Sequence, residues 1–262
     1  MLQTRLITAL IALPIVFAGV YAGGLWFLAG VGIIALISGW EFGQMMKAGG
    51  YQTTPFITLA LILFLLLDAY FAELRLLSLI ISVVFLFSMV WQLFQTNTTT
   101  PTVDWALTLT GGFYIGWGLA HLVALRQLAD GLAWVWLALI SNWGADSLAY
   151  FVGRTFGRHR LWPRLSPRKT WEGLIGGILG GLGGAALVAA WSPSLTQATA
   201  LAIGALVPVA GLFGDLSISM IKRHVGVKDS SNLFPGHGGF LDRADSMLFV
   251  SVVVYYYAIW IG

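Results

Sequence analysis

"WEGLIGGILGGLGGAALVAAW", residues 171–191, is the stretch whose reading decides the fold. One carboxylate, Glu172, stands near its start, and no charge follows. Wound as a helix rising 1.5 Å per residue, a run of this length crosses about 30 Å of hydrocarbon. Its glycines fall into two rows, 173/177/181 and 176/180/184, the small-residue spacing that lets a second helix approach closely. Packing is the reading this favours; room for a lipid chain is the alternative.

Similar apolar runs recur at 6–22, 24–41, 56–72, 76–94, 105–125, 131–151, 198–218 and 246–261, giving about nine spans. The chain has 262 residues, 58% hydrophobic and only 10% charged, with a mean hydropathy of +0.84. A soluble domain carries about a quarter charged residues. The alternating strands of about ten residues that a transmembrane barrel needs are absent. The expected fold is therefore all-α, a polytopic integral membrane protein. Its first span follows Arg5 and runs on into a second without a convincing cleavage site, which favours a retained helix over a signal peptide.

Basic residues orient such a chain, because Lys and Arg are retained on the cytoplasmic side. With a cytoplasmic N-terminus, 12 of the 14 basic residues fall on that side, and only Arg75 and Arg126 on the other. The two halves differ in character. Residues 1–100 hold about four spans and few charges. Residues 101–262 hold about five spans and two chemically rich cytoplasmic loops, 153–172 and 222–246. The net charge of +3 reflects this topology signal and does not imply a nucleic-acid partner. With no cysteine, disulfides, thiolate metal sites and a Cys nucleophile are excluded.

The loop "KRHVGVKDSSNLFPGHGGFLDRADS", residues 222–246, concentrates charge that the rest of the chain avoids. Just before it, Asp215, Ser219, Lys222 and Arg223 lie along one helical face. Asp215 sits about 10 Å below Lys222, inside the hydrocarbon boundary, where a charge costs roughly 2.5–3.5 kcal/mol at the bilayer centre and less near its edge. An ion pair with Arg223 would offset that; a metal or ligand site would do so together with Asp229, Asp242 and Asp245. Carboxylates without cysteine suit a hard divalent cation, Mg²⁺ above all, with one or two ions held. Asp245 also suits a helix N-terminus through the dipole alone. Gly236, Gly238 and Gly239 allow a turn whose N–H groups point inward as an anion nest, with His237 in its middle. Lys228 and Arg243 add positive charge beside it.

The earlier loop, "GRTFGRHRLWPRLSPRKTWEG" (153–173), carries five arginines and Lys169, and follows Asn142, Asp146 and Tyr150 spaced four apart on one helix face. "SPRK" reads as a helix start, with Ser166 as N-cap and Pro167 at the first helical position. Binding of anionic lipid headgroups would explain the basic residues as well as a phosphate site would. Two basic loops facing several acids at a membrane surface suit transfer of a nucleotidyl or phosphoryl group between a soluble phosphate compound and a lipid.

The pattern from Ser219 through Asp245, "SxxKRxxxxKDxxxxxPGHGGxxDRxD", resembles the signature of the phosphatidate cytidylyltransferase (CDP-diacylglycerol synthase) family. "DSLAYFVGR" and "SPRKTWEG" upstream also resemble that family, in the expected order. The resemblance implies that CTP and phosphatidic acid give CDP-diacylglycerol and pyrophosphate, with Mg²⁺, at the cytoplasmic face of the inner membrane. It makes Asp215, Lys222, Arg223, Asp242, Arg243 and Asp245 the candidate catalytic residues. Asp215, Asp242 and Asp245, with Asp146 and Asp229 as further candidates, would hold metal. Ser166, Lys169 and Thr170 would line the nucleotide side, while Ser219, Lys228 and the 236–239 turn, His237 included, would bind substrate. A CTP-dependent lipid kinase and a secondary transporter are the rival readings. The glycine-rich span permits tight packing between subunits, so a homodimer is compatible with it.

Overall fold

A computed structural model describes residues 13–231, 233 and 238–261. Arg5, Gly236 and His237, singled out above, lie outside the described residues. Almost all of the ordered structure is helical, in chain order α1 (Leu13–Ala22), α2 (Gly24–Ala48), α3 (Pro55–Tyr70), α4 (Leu77–Leu93), α5 (Pro101–Gln127) and α6 (Gly131–Phe156). Strands β1 (Arg160–Trp162) and β2 (Ser166–Thr170) follow, then α7 (Trp171–Trp191), α8 (Gln197–His224), the short α9 (Leu241–Ala244) and α10 (Met247–Trp260). The apolar runs read from residue 24 onward each coincide with a helix, and of the run 6–22 the described part, 13–22, is helical. Four of them, α2, α5, α7 and α8, are long and apolar enough by themselves to cross a bilayer. This is an α-helical membrane protein.

The chain folds as two compact units. The first comprises Met1–Val123 and Ile221–Ala244, the second Ala124–Met220 and Asp245–Gly262.

In the first unit, α2, α3 and α5 pack through small residues. A Cβ placed on Gly111 of α5 would lie 2.5 Å from the Phe42 ring of α2, and one on Gly116 would lie 2.9 Å from the Ile62 backbone of α3. Phe42, Met46, Ile62, Leu65, Leu66 and Ile115 are fully buried as a result. The turn between α2 and α3 is tied to α5 by hydrogen bonds, the Gln52 amide donating to Asp104 (2.9 Å) and the Thr54 amide to Thr108 Oγ1 (2.9 Å). Of the residues of α4, only Val84 and Ser88 are buried. So apolar a helix, left uncovered, is at home against lipid and not against water.

The second unit is organised by the glycine stripe of α7. The row 176/180/184 faces α6, where a Cβ on Gly180 would meet the Gly144 carbonyl oxygen at 2.2 Å and one on Gly184 the Ile140 carbonyl at 2.6 Å. Gly181, in the other row, meets α8 at the Gly204 carbonyl (2.4 Å) and Pro208. The packing reading of these rows thus holds, and backbone lies against backbone. The opposite face of α7 presents Ile175, Leu179 and Leu187, which are 60%, 60% and 61% exposed, a lipid-facing ridge.

One local expectation is corrected. Ser166 does not cap a helix: residues 166–170 form β2, antiparallel to β1, with Trp162 opposite Ser166 and Arg160 opposite Thr170. The cap is Thr170, whose Oγ1 accepts from the Gly173 amide at 3.1 Å. Pro167 at a strand edge is tolerated, and Thr170 offers the same hydroxyl acceptor directly before the apolar run. The hairpin is also clasped to α7 by Glu172, which accepts from the His159 amide and lies 2.7 Å from His159 Nδ1.

Candidate active site

Within the second unit, a cavity of ≈ 660 Å³ opens between α6, the β-hairpin, α7 and α8. Its lining includes four basic residues, Arg154, Arg160, Arg168 and Lys169, and two acidic ones, Asp146 and Asp215. Ala145, Ala149, Leu174, Pro208 and Leu212 add apolar lining. The glycine packing produces this geometry. Because α7 lies so close to α6 and α8, residues of all three helices line a common space, Gly173, Gly177, Ala149 and Pro208 among them. Ser166 and Thr170 line it too.

Asp215 does not depend on Arg223. Its Oδ2 lies 2.6 Å from Lys169 Nζ, while Oδ1 accepts from Ser219 Oγ at 3.1 Å. The side chains of this ion pair are 24% and 36% exposed, so the pair stands where solvent and solutes reach it. Arg154 is steadied by Tyr150, donating to its hydroxyl at 2.8 Å. Asn142, the third residue on the α6 face, instead donates to Ser246 Oγ at 3.0 Å and is buried. Asp245 is buried beside it and accepts from the Ser246 amide at 2.7 Å.

The first unit holds a second polar cluster. Lys222 and Asp242, both nearly buried, pair at 2.6 Å. Asp242 Oδ2 also accepts from the Ser230 amide and hydroxyl (2.8 Å each) and the Gly239 amide (3.0 Å). Burial disfavours its charged form, yet the Lys222 ammonium and the Gly239 and Ser230 amides prevail and hold the Asp242 carboxyl below its ordinary range. Gly238 adopts φ 76°, and a Cβ there would meet Asp242 Oδ2 at 2.4 Å, so the tight turn needs glycine. Arg223 donates to the Val227 carbonyl at 3.2 Å; Lys228, Asp229 and Arg243 are exposed.

The sequence reading did not single out Glu41. It is fully buried on α2 and takes hydrogen bonds from Ser230, Ser231, Phe240 and Leu241. A carboxylate within an apolar run was the available signal; its partners lie about 190 residues away and no local pattern points to them.

Among the described residues, no three His, Cys, Asp or Glu side chains gather as a ready-made metal cage. Mg²⁺ does not require one. It takes one or two carboxylates and completes its shell with water and phosphate oxygens, and the two carboxylates lining the cavity, Asp146 of α6 and Asp215 of α8, fit that donor set.

The cytidylyltransferase family model matches residues 3–260. The chain belongs to the cytidylyltransferase family. A Pseudomonas aeruginosa protein named phosphatidate cytidylyltransferase is 36% identical over 261 residues, covering 94% of this chain and 93% of its own. One of the same name from Synechocystis is 33% identical, over 97% and 96% of the two chains. A third, from Bacillus subtilis, is 42% identical over 163 residues, covering 61% and 60%. The matches to the first two take in α2 and its Glu41 as well as the motif-bearing loops, so family likeness is not confined to the region with recognisable motifs.

Proposed function

We infer that this protein is a membrane nucleotidyltransferase that moves CMP from CTP to phosphatidic acid, giving CDP-diacylglycerol and pyrophosphate for phospholipid synthesis. The observation that carries the reading at the level of geometry is the cavity, whose lining combines four basic side chains, two carboxylates and an apolar part. Membership of the family makes the transferred group cytidylyl.

The chemistry asks little of a nucleophilic side chain. A lipid phosphate oxygen is already charged near neutral pH, and it forms a bond to the α-phosphorus of CTP as the bond to the β-phosphate oxygen breaks. Pyrophosphate leaves with that electron pair. What the protein must supply is alignment and relief of repulsion between two polyanions. Arg154, Arg160, Arg168 and Lys169 bind phosphate oxygens, and the apolar part of the lining receives the glycerol end of the lipid. Asp146 and Asp215 would hold Mg²⁺, which when bound neutralises phosphate charge. Lys169, which pairs with Asp215 in the structure, would exchange that partner for a phosphate oxygen when substrate binds. The motif's Asp242, Asp245, Lys222, Arg223 and Arg243 are further candidates for a role in the reaction, and a cytoplasm-facing orientation, which the distribution of basic residues supports, would give access to CTP.

The test is incubation of purified protein with labelled CTP, phosphatidic acid and Mg²⁺. Pyrophosphate and a CDP-lipid are expected together, and chelation stops both. Release of CDP with a phosphorylated lipid would make the protein a kinase. Asp215→Asn and Asp242→Asn are expected to abolish CDP-lipid formation while leaving membrane insertion intact; full activity in both refutes the assigned roles.

A further inference from the structure

We propose that Glu41, on the second helix and far in sequence from every motif, is a positioning residue for the 230–244 loop. Through that loop it holds the Lys222–Asp242 pair in place. The proposal rests on the loop's role in the reaction, as assigned above.

Glu41 has a relative exposure of 0%, and no basic side chain pairs with it among the described residues. An isolated buried carboxylate is costly, so its partners must be hydrogen-bond donors. The loop supplies four, divided evenly. Oε1 accepts from the Ser231 hydroxyl (2.6 Å) and the Phe240 amide (3.0 Å). Oε2 accepts from the Ser230 hydroxyl (3.1 Å) and the Leu241 amide (2.8 Å). Each oxygen thus takes one hydroxyl and one backbone amide, and both ends of the loop are pinned to a single side chain.

The connection to Asp242 is direct. The one hydrogen of the Ser230 hydroxyl lies between Glu41 Oε2 at 3.1 Å and Asp242 Oδ2 at 2.8 Å. Gly239 sits in the same corner: a Cβ there would be 2.2 Å from Glu41 Oε1 and 2.3 Å from Ser230 Oγ, while its amide holds Asp242. Asp242 is therefore placed by groups that Glu41 itself places, and Lys222 is aimed by Asp242. A rigid helix fixes the far end of this chain of contacts.

Glu41→Gln is the sharpest probe, because a carboxamide of equal length has only one accepting oxygen. The serine hydroxyls can turn to accept, but a backbone N–H cannot. In either orientation of the amide, Phe240 or Leu241 meets an NH₂ group and loses its acceptor. We expect kcat to fall on the order of 10- to 100-fold, as for misplacement of a reacting group, with the KM for CTP near the wild-type value. Amide hydrogen exchange should accelerate across 230–244 while α2 stays protected. Wild-type kcat in Glu41→Gln overturns the proposal, and so does faster exchange throughout the chain, which marks general unfolding. Should that variant not fold, Ser231→Ala removes one donor and leaves the carboxylate; unchanged kcat and unchanged loop exchange then overturn the proposal. Asp242→Asn separates the two levels. If it keeps full activity, the loop's catalytic role falls and positioning for catalysis falls with it, while local loop exchange in Glu41→Gln still decides whether Glu41 is the anchor.

Discussion

Asp242 shows how a carboxylate is kept charged in a nearly dry setting: one ammonium and three loop donors offset its burial. Asp242→Ala would strand the Lys222 charge, and breaking a buried pair in this way costs about 3–5 kcal/mol. Unfolding of the purified variant against wild type checks this. The pH dependence has a definite sign. Because the folded carboxyl titrates below its ordinary value of 3.8, its contribution to stability is present above that value. It is lost as pH falls further, through the folded value. The stability difference between wild type and Asp242→Ala should therefore be level from neutral pH down to about 5 and shrink below 3.8. A difference that grows on acidification would show that the pair is not what holds the loop.

At the scale of elements, α7 carries the clearest consequences. Gly180→Ala places a methyl group 2.2 Å from the Gly144 carbonyl oxygen, which forces α6 and α7 apart. Overpacking of this kind costs about 1–3 kcal/mol, more where backbone cannot yield. Gly183, in the same helix, has nothing within 4 Å of an added Cβ, so Gly183→Ala should be neutral or slightly stabilising through helix propensity. Thermal melting of the two variants in one detergent gives the comparison. Equal melting temperatures would mean that the stripe is not a packing surface. Thr170→Ala, which orphans the Gly173 amide, should cost about 1 kcal/mol by loss of the cap alone.

For the molecule as a whole, orientation across the bilayer is the testable matter. The chain has no cysteine, so single cysteines report topology without background. Arg164 lies exposed in the hairpin before α7, and Ser194 lies exposed in the turn after it. If α7 crosses once with the basic loop in the cytoplasm, Arg164→Cys reacts with an impermeant maleimide in inverted vesicles. Ser194→Cys then reacts only in right-side-out ones. Labelling of both from one side would refute the crossing and the side from which CTP is drawn.

The helical membrane fold was legible because the bilayer imposes a length and a polarity that any spanning helix must meet locally, as 171–191 does. The glycine rows were legible for a related reason: close helix contact demands small residues at a fixed spacing. Asp215 could be picked out as a charge in an apolar run, and Asp242, Lys222 and Lys169 as members of the two charge-rich loops, but their partners could not. Pairing of Asp215 with Lys169 instead of Arg223 depends on how a strand turns into α7, a choice between Ser166 and Thr170 as the cap. Glu41 was less legible still. Its cost is local, one carboxylate in a run of apolar residues, whereas the four donors that offset that cost arrive from a loop near the other end of the chain. Burial and period are properties of a segment and can be read from it. Which donor meets which acceptor is a property of distant segments brought together, and only the tertiary structure decided it.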